Sequence, residues 1–311
     1  KGNINNKSFE LDNEKTILFI KPFLPSFDIQ KIKFGSENIF SFKLNKKFKL
    51  KDFEISSKIL IDEFSIPNIL SLKKFFPKAK KNIFFSDHEL SLEYKKDNLL
   101  INGNGNILYQ DKNDFVNYVI KKKKKNLDFK TSFKINDNPF VINFLNYKKS
   151  QKDEASIKIE GVIGENNLTL IKLFHLKEGK NKVEIKNLVL NKSYEIINFD
   201  KVNLDYIDKD NQTNLIKLHK KKDEYYLESP FFNADKLIDE LINDEENNSN
   251  ILKIDNKINI NINKIRIDNE YNLINFSGYL FLKDKKIIKA DLIGNFSENR
   301  KLKFTVSTKD N

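Results

Sequence analysis

The amino-acid sequence predicts a mostly β protein: a long antiparallel meander with two short helices. Three observations predict it. Apolar and polar residues alternate with a period of two along most of the chain, the mark of strands with one buried face. Short polar segments of hairpin length separate the alternating runs. The gaps between runs are too short to hold a helical crossover, so neighbouring strands are expected to pair antiparallel. At one strand per 8–12 residues the chain has room for on the order of 25 strands.

The elements follow in order. Phe40, Phe42 and Leu44 alternate first. Ile66-Pro67-Asn68-Ile69-Leu70-Ser71-Leu72-Lys73-Lys74-Phe75-Phe76 reads as a short helix, with Pro67 in its first turn and Pro77 as its stop. Leu90 and Leu92 alternate after the turn Asp87-His88-Glu89. Gly103-Asn104-Gly105-Asn106 lacks the Lys-Ser/Thr ending of a phosphate loop and is expected to be a bend or bulge in a strand. Leu127, Phe129, Thr131, Phe133 and Ile135 alternate, then Phe140, Ile142 and Phe144 after the turn Asn136-Asp137-Asn138-Pro139. Val183 and Ile185, then Val202, Leu204 and Tyr206, continue the texture.

A second short helix is expected over 234–243. Asn233 offers an N-cap, and Leu237, Ile238, Leu241 and Ile242 form one apolar stripe. A charged linker, 244–250, follows. The last segment reads as a four-stranded meander. Ile258, Ile260 and Ile262 share one face, and the parity slip at Ile265 predicts a bulge or bend at Asn263-Lys264. Ile274, Phe276, Gly278, Leu280 and Leu282 form the next strand face, Ile288, Ala290, Leu292, Gly294 and Phe296 the third, and Leu302, Phe304 and Val306 the fourth. The organisation expected is a β-rich part over 1–126, a meander ending in a short helix over 127–243, and the C-terminal meander over 251–311, continuing into further sequence.

Composition narrows the function. Lys+Arg number 56 and Asp+Glu 44, a net charge of +12, but lysine dominates and is spread along the chain. Nucleic-acid readers cluster arginine on one face, so nucleic acid is not an expected partner. With no Cys and 3 His, thiolate and imidazole chemistry are nearly excluded, and no cofactor, metal set or catalytic group is expected. His88 reads as a solvated turn histidine, and Asp205, Asp208 and Asp210 as solvated charges. Lys121, Lys122, Lys123, Lys124 and Lys125 form the one charge block. It reads as a soluble hairpin connection between Tyr118-Val119-Ile120 and Leu127-Asp128-Phe129, or as a contact for an anionic surface.

One-faced strands in a long meander leave a continuous apolar trough unless the sheet folds on itself. A bare trough of that size cannot face water, and an acyl chain is its natural occupant. The candidate lining residues are Ile258, Ile260, Ile262, Ile274, Phe276, Leu280, Leu282, Ile288, Leu292, Phe296, Leu302 and Phe304.

Glu178-Gly179-Lys180-Asn181-Lys182-Val183-Glu184-Ile185, with Ile196-Ile197-Asn198-Phe199-Asp200-Lys201-Val202, resembles the strand, kink, strand texture of large AsmA-like and TamB-like proteins. The step Tyr226-Leu227-Glu228-Ser229-Pro230-Phe231-Phe232-Asn233 and the strands Phe276-Ser277-Gly278-Tyr279-Leu280 and Ala290-Asp291-Leu292-Ile293-Gly294-Asn295-Phe296 are similar to theirs. The resemblance covers about residues 127–311. It implies a bridge-like lipid-transfer protein with a repeating, taco-like β-groove. Such a protein is anchored in the inner membrane by a segment outside this sequence and crosses the periplasm to carry phospholipid toward the outer membrane. Its partners are then phospholipid and the two membranes or their proteins, in the service of outer-membrane biogenesis. It implies no enzyme. The alternative expectation is a structural or adhesive β-solenoid or sandwich with no lipid ligand.

Overall fold

The computed structural model describes residues 1–11, 14, 31–68, 72–151, 153–164, 168–243, 255–283 and 286–308. The chain is mostly β, with 72% of its residues in strands. It divides into two compact units, Lys1–Phe140 with Ser156–Glu165, and Val141–Ala155 with Asn166–Asn311.

Unit 1 is a meander of β1 (Gly2–Leu11), β2 (Lys31–Leu44), β3 (Leu50–Pro67), β4 (Asn82–Lys95), β5 (Asn98–Leu108), β6 (Asp114–Lys123) and β7 (Asn126–Ile135). Each pairs antiparallel with the next in chain order. Two short strands, β8 (Val141–Ile142) and β9 (Tyr147–Lys148), pair with each other in unit 2. Then β10 (Ala155–Ile163) returns to pair with β7.

Strands are longer and fewer than the expected spacing implies. Among the described residues β2, β3 and β4 run for 14, 18 and 14 residues, because few Gly or Pro interrupt them. The expected helix over 66–76 is corrected: Ile66 and Pro67 extend the β3–β4 ladder opposite Ile83 and Asn82. The described helical turn there is a 3-10 turn, Leu72–Lys74, and residues 69–71 lie outside the described residues. Phe76, buried, packs on Tyr109 and Phe140 with ring centroids at 4.7 and 5.2 Å.

Unit 2 holds β11 (Thr169–Glu178), β12 (Asn181–Leu190), β13 (Ile196–Asn198), β14 (Lys201–Ile207), β15 (Thr213–Lys221), β16 (Glu224–Asn233), α1 (Asp235–Asn243), β17 (Asn256–Arg266), β18 (Asn272–Lys283), β19 (Lys286–Ser297) and β20 (Arg300–Ser307). Helix α1 falls where its apolar stripe places it and packs against the 3-10 turn Asn143–Leu145. The charged linker 244–250 lies outside the described residues. The C-terminal four-stranded meander forms as expected. Among the described pairings of unit 2, β16 and β17 depart from antiparallel order and pair in parallel, Tyr225 beside Ile258 and Leu227 beside Ile260. This pairing falls where a helix intervenes between strands, the condition a parallel neighbour requires.

Candidate functional site

The registers of unit 2 align one apolar row across nine strands. Phe174, Ile185, Val202 and Leu218 are cross-strand neighbours on β11, β12, β14 and β15. Leu227, Ile260, Gly278, Leu292 and Phe304 continue the row on β16 to β20. Directly opposed residues share a sheet face, so this face is apolar from one side of the unit to the other. The opposite face reads His175, Glu184, Asn203, Lys217, Glu228, Asn261, Ser277, Ile293 and Lys303 along its own row. Most members of the apolar row are half-buried; Leu292 is buried and Phe304, on the last strand, is 45% exposed. The glycine in the row is forced: Gly278 has φ +137, and a Cβ there would meet the Asp291 carbonyl oxygen at 2.0 Å.

Beside this row the face closes into a core of Phe199, Tyr225, Ile258 and Leu282, with Leu188, Val202, Leu218, Leu227, Ile260 and Ile287 packed against it. Tyr225 anchors it. Its hydroxyl donates to Asn198 Oδ1 at 2.8 Å, and its ring lies 4.6 Å from that of Phe199.

Nine of the twelve residues named from sequence lie on this face: Ile258, Ile260, Ile262, Phe276, Leu280, Leu282, Leu292, Leu302 and Phe304. Three do not join it as expected. Ile274 is 42% exposed, because Asn275 at φ +53 flips the strand and puts Leu273, fully buried, in its place. The β17–β18 register runs unbroken past Asn263-Lys264, so the bulge expected there is corrected, and Ile265 is buried opposite Leu273. Ile288 sits in a β-bulge, and Ile287 packs on the core instead. Phe296 is 38% exposed against Tyr271 at a strand end.

The other end of the strands is capped by polar side chains that pattern reading missed. Glu178, buried, accepts from Tyr147 Oη at 2.5 Å, from Asn181 Nδ2 at 2.8 Å and from the Ser150 N–H. Asp208 is buried too, which corrects its reading as a solvated charge. It accepts from the N–H groups of Asp210 and Gln212 and from the side-chain amides of Asn214 and Asn233. Two hydroxyls in unit 2, Tyr206 Oη and Ser229 Oγ, are buried without a hydrogen-bond partner. Burial pushes the Tyr206 hydroxyl well above the ordinary tyrosine range, so it is a donor and not a base.

Unit 1 has its own apolar face. One row runs Phe9, Phe34, Ile61 and His88 across β1 to β4, and Val116 and Phe133 pair on β6 and β7. His88 is 2% exposed, not a solvated turn residue. Asp87 at φ +52 makes a bulge in β4 that turns the imidazole inward, with Nδ1 3.3 Å from the Ser86 carbonyl and Nε2 unpartnered. Burial lowers its pKa below the usual imidazole value. The facing glycines make room: a Cβ at Gly105 would lie 2.2 Å from His88 Nδ1, and one at Gly103 would lie 2.4 Å from the Tyr118 ring. The bulge expected in the Gly103–Asn106 stretch lies in the opposing strand.

Of the lysine block, Lys121, Lys122 and Lys123 end β6, and Lys124 and Lys125 form the turn to β7, the hairpin expected. Among the described residues no three His, Asp or Glu side chains converge as a metal set, and no helix is long and apolar enough to cross a membrane. A depression of about 400 Å³ in unit 2 is lined by Leu215, Lys217, Glu228, Ser229, Pro230, Asn261 and Asn263, most of them polar. Comparison with protein-family models, with curated proteins and with solved structures finds no match.

Proposed function

We propose that the apolar face of unit 2 holds the acyl chains of phospholipid and that the chain is a segment of a lipid-transfer protein. The observation that carries this reading is the nine-strand row from Phe174 to Phe304: apolar at every position, half-buried at most of them and exposed at its last strand. A packed core would bury such a row fully; a row that stays half-open suits a mobile apolar ligand. The resemblance to AsmA-like proteins extends the reading to a groove that conducts phospholipid through the periplasm between the inner and outer membranes.

Native mass spectrometry of the purified chain tests it. The expected result is co-purified phospholipid, and uptake of a fluorescent acyl lipid from liposomes by delipidated protein. A lipid-free preparation that takes up nothing overturns the reading and leaves the structural β-protein.

A further inference from the structure

Alternate turns of an antiparallel meander emerge at the same end of the strands. In unit 1 the β2–β3 loop, the β4–β5 turn and the β6–β7 turn therefore share one edge, with ladders ending at Leu44–Leu50, Lys95–Asn98 and Lys123–Asn126. The β4–β5 and β6–β7 tips lie about 10 Å from each other, and the β2–β3 hairpin projects about 13 Å past them, since Glu54 already pairs with Lys95. Positions 43–54, 95–98 and 121–128 hold twelve lysines and four carboxylates, a balance of 12 − 4 = +8. The carboxylates among them are engaged at the surface, Asp52 with Lys43 at 3.1 Å, Glu54 with Lys95 at 3.0 Å, and Asp97 accepting from Tyr94 Oη at 3.1 Å. At the other end of the same strands, Lys78 and Lys112 pair with Asp111 and Asp137 at 2.6 and 3.0 Å.

An aromatic stands at the tip of this edge. Phe48 is 85% exposed at φ +54. Its loop is well braced: Asn45 Oδ1 accepts the N–H groups of Lys47 and Lys49, each at 2.9 Å, and the Phe48 N–H donates to the Asn45 carbonyl at 2.9 Å. The same five-residue loop recurs at 191–195 and at 208–212, where the left-handed position is Tyr194, 68% exposed, and Asn211. Asparagine suits that backbone best, yet the loop admits an exposed aromatic at Tyr194 as well as at Phe48. Phe48 differs from Tyr194 in having no hydroxyl to hydrate and in standing among Lys46, Lys47 and Lys49, so it is the wholly apolar tip of a basic loop.

We infer that this lysine edge docks on an anionic phospholipid bilayer, with Phe48 inserted at the headgroup boundary. An apolar anchor beside a polybasic patch supplies the two signals that reversible membrane attachment needs. The inference stands apart from what the trough carries, because contact at Phe48 and lipid uptake by unit 2 are read separately and either can fail alone.

The chain has no Trp, so Phe48→Trp gives a single fluorescent reporter, and Asn113→Trp, at the opposite strand end, gives its control. The probes are vesicles of phosphatidylcholine with 30 mol% phosphatidylglycerol, and of phosphatidylcholine alone. The expected result is a blue shift and quenching by brominated lipid for Phe48→Trp on the anionic vesicles, reversed by salt, with Asn113→Trp silent. Phe48→Asn keeps the loop and is expected to weaken vesicle partition about tenfold with unchanged melting. Neutralising Lys46, Lys47 and Lys49 to Gln is expected to weaken it on the order of a hundredfold. No shift on anionic vesicles, an equal shift on neutral ones, or equal shifts from both reporters overturns the inference. A response to a single-stranded oligonucleotide with none to vesicles also overturns it and assigns the edge to nucleic acid.

Discussion

Replacing Ile260 with Asp puts a carboxylate in the middle of the nine-strand row. Ile260 is half-buried, so the change forfeits about 1 kcal/mol of apolar burial, roughly half the value for a fully buried aliphatic side chain. If the row lines an open trough, the carboxylate stays hydrated and little else is lost. Leu282→Asp is the contrast. Leu282 is 1% exposed within the core of Phe199, Tyr225 and Ile258, and an unpaired charge there costs about 3–5 kcal/mol. For a unit of this size each kcal/mol moves Tm by about 2–4 °C. Thermal circular dichroism should therefore show a fall of about 2–4 °C for Ile260→Asp and about 6–20 °C for Leu282→Asp. Asn261→Asp, on the polar face, should melt like the parent. Native mass spectrometry of the same proteins should show bound phospholipid lost from Ile260→Asp and kept by Asn261→Asp. If Ile260→Asp melts as low as Leu282→Asp, the row is a closed core and the reasoning fails; full lipid binding by a folded Ile260→Asp protein refutes it from the other side.

His88 predicts acid sensitivity in unit 1. Its folded-state pKa lies below the unfolded value of 6.5, so the unfolded chain binds a proton first and stability declines as pH falls below that value. His88→Phe should flatten the decline between pH 7 and 5 in melting curves, and an unchanged slope would remove His88 as its source. Gly105→Ala drives a Cβ to 2.7 Å from the His88 Cα as well as onto its ring; a loss of about 1–3 kcal/mol is expected by chemical denaturation, and parent-like stability would show that the bulge relaxes freely. Asp208→Ala strands two backbone N–H groups and two buried amides. A loss of about 2–4 kcal/mol is expected in urea unfolding, and a change under 1 kcal/mol would mean that water replaces the carboxylate.

The strands and most of their facing were legible because side-chain period reports backbone period. Ile258, Ile260 and Ile262 alternate in sequence and share a face in space; the parity slip at Ile265 marks a change of buried side, but no bulge forms at Asn263-Lys264, where the register is unbroken. The counterpart of that change, at Asn275, was hidden, since Ile274 and Phe276 keep perfect alternation while the backbone between them turns left-handed. Asparagine tolerates that conformation and leaves no other trace. The buried acids were illegible for a different reason. Asp208 and Glu178 look like surface charges until their partners, such as Asn233 and Tyr147, arrive from 25 and 31 residues away. The burial of His88 was illegible because it depends on Gly105 across the sheet, a complement of shapes that no local pattern records.

The parallel step between β16 and β17 also divides the folding of unit 2. Its other described long ladders join strands linked by a short turn or by the small β13 segment, so each can zip from a nearby closure. The β16–β17 ladder pairs Glu224 with Lys257, 257 − 224 = 33 residues apart, across a helix. Closing that loop is the slow, entropically costly event, and the hairpins on either side gain little by waiting for it. Strands β17 to β20 should therefore assemble as one cooperative block and β11 to β16 as another, with the seam formed last and opened first. Amide exchange would show it as two protection levels meeting at Leu227 and Ile260, in the centre of the apolar row. A trough continuous in shape would then be two pieces in time, hinged where its lining crosses from one to the other.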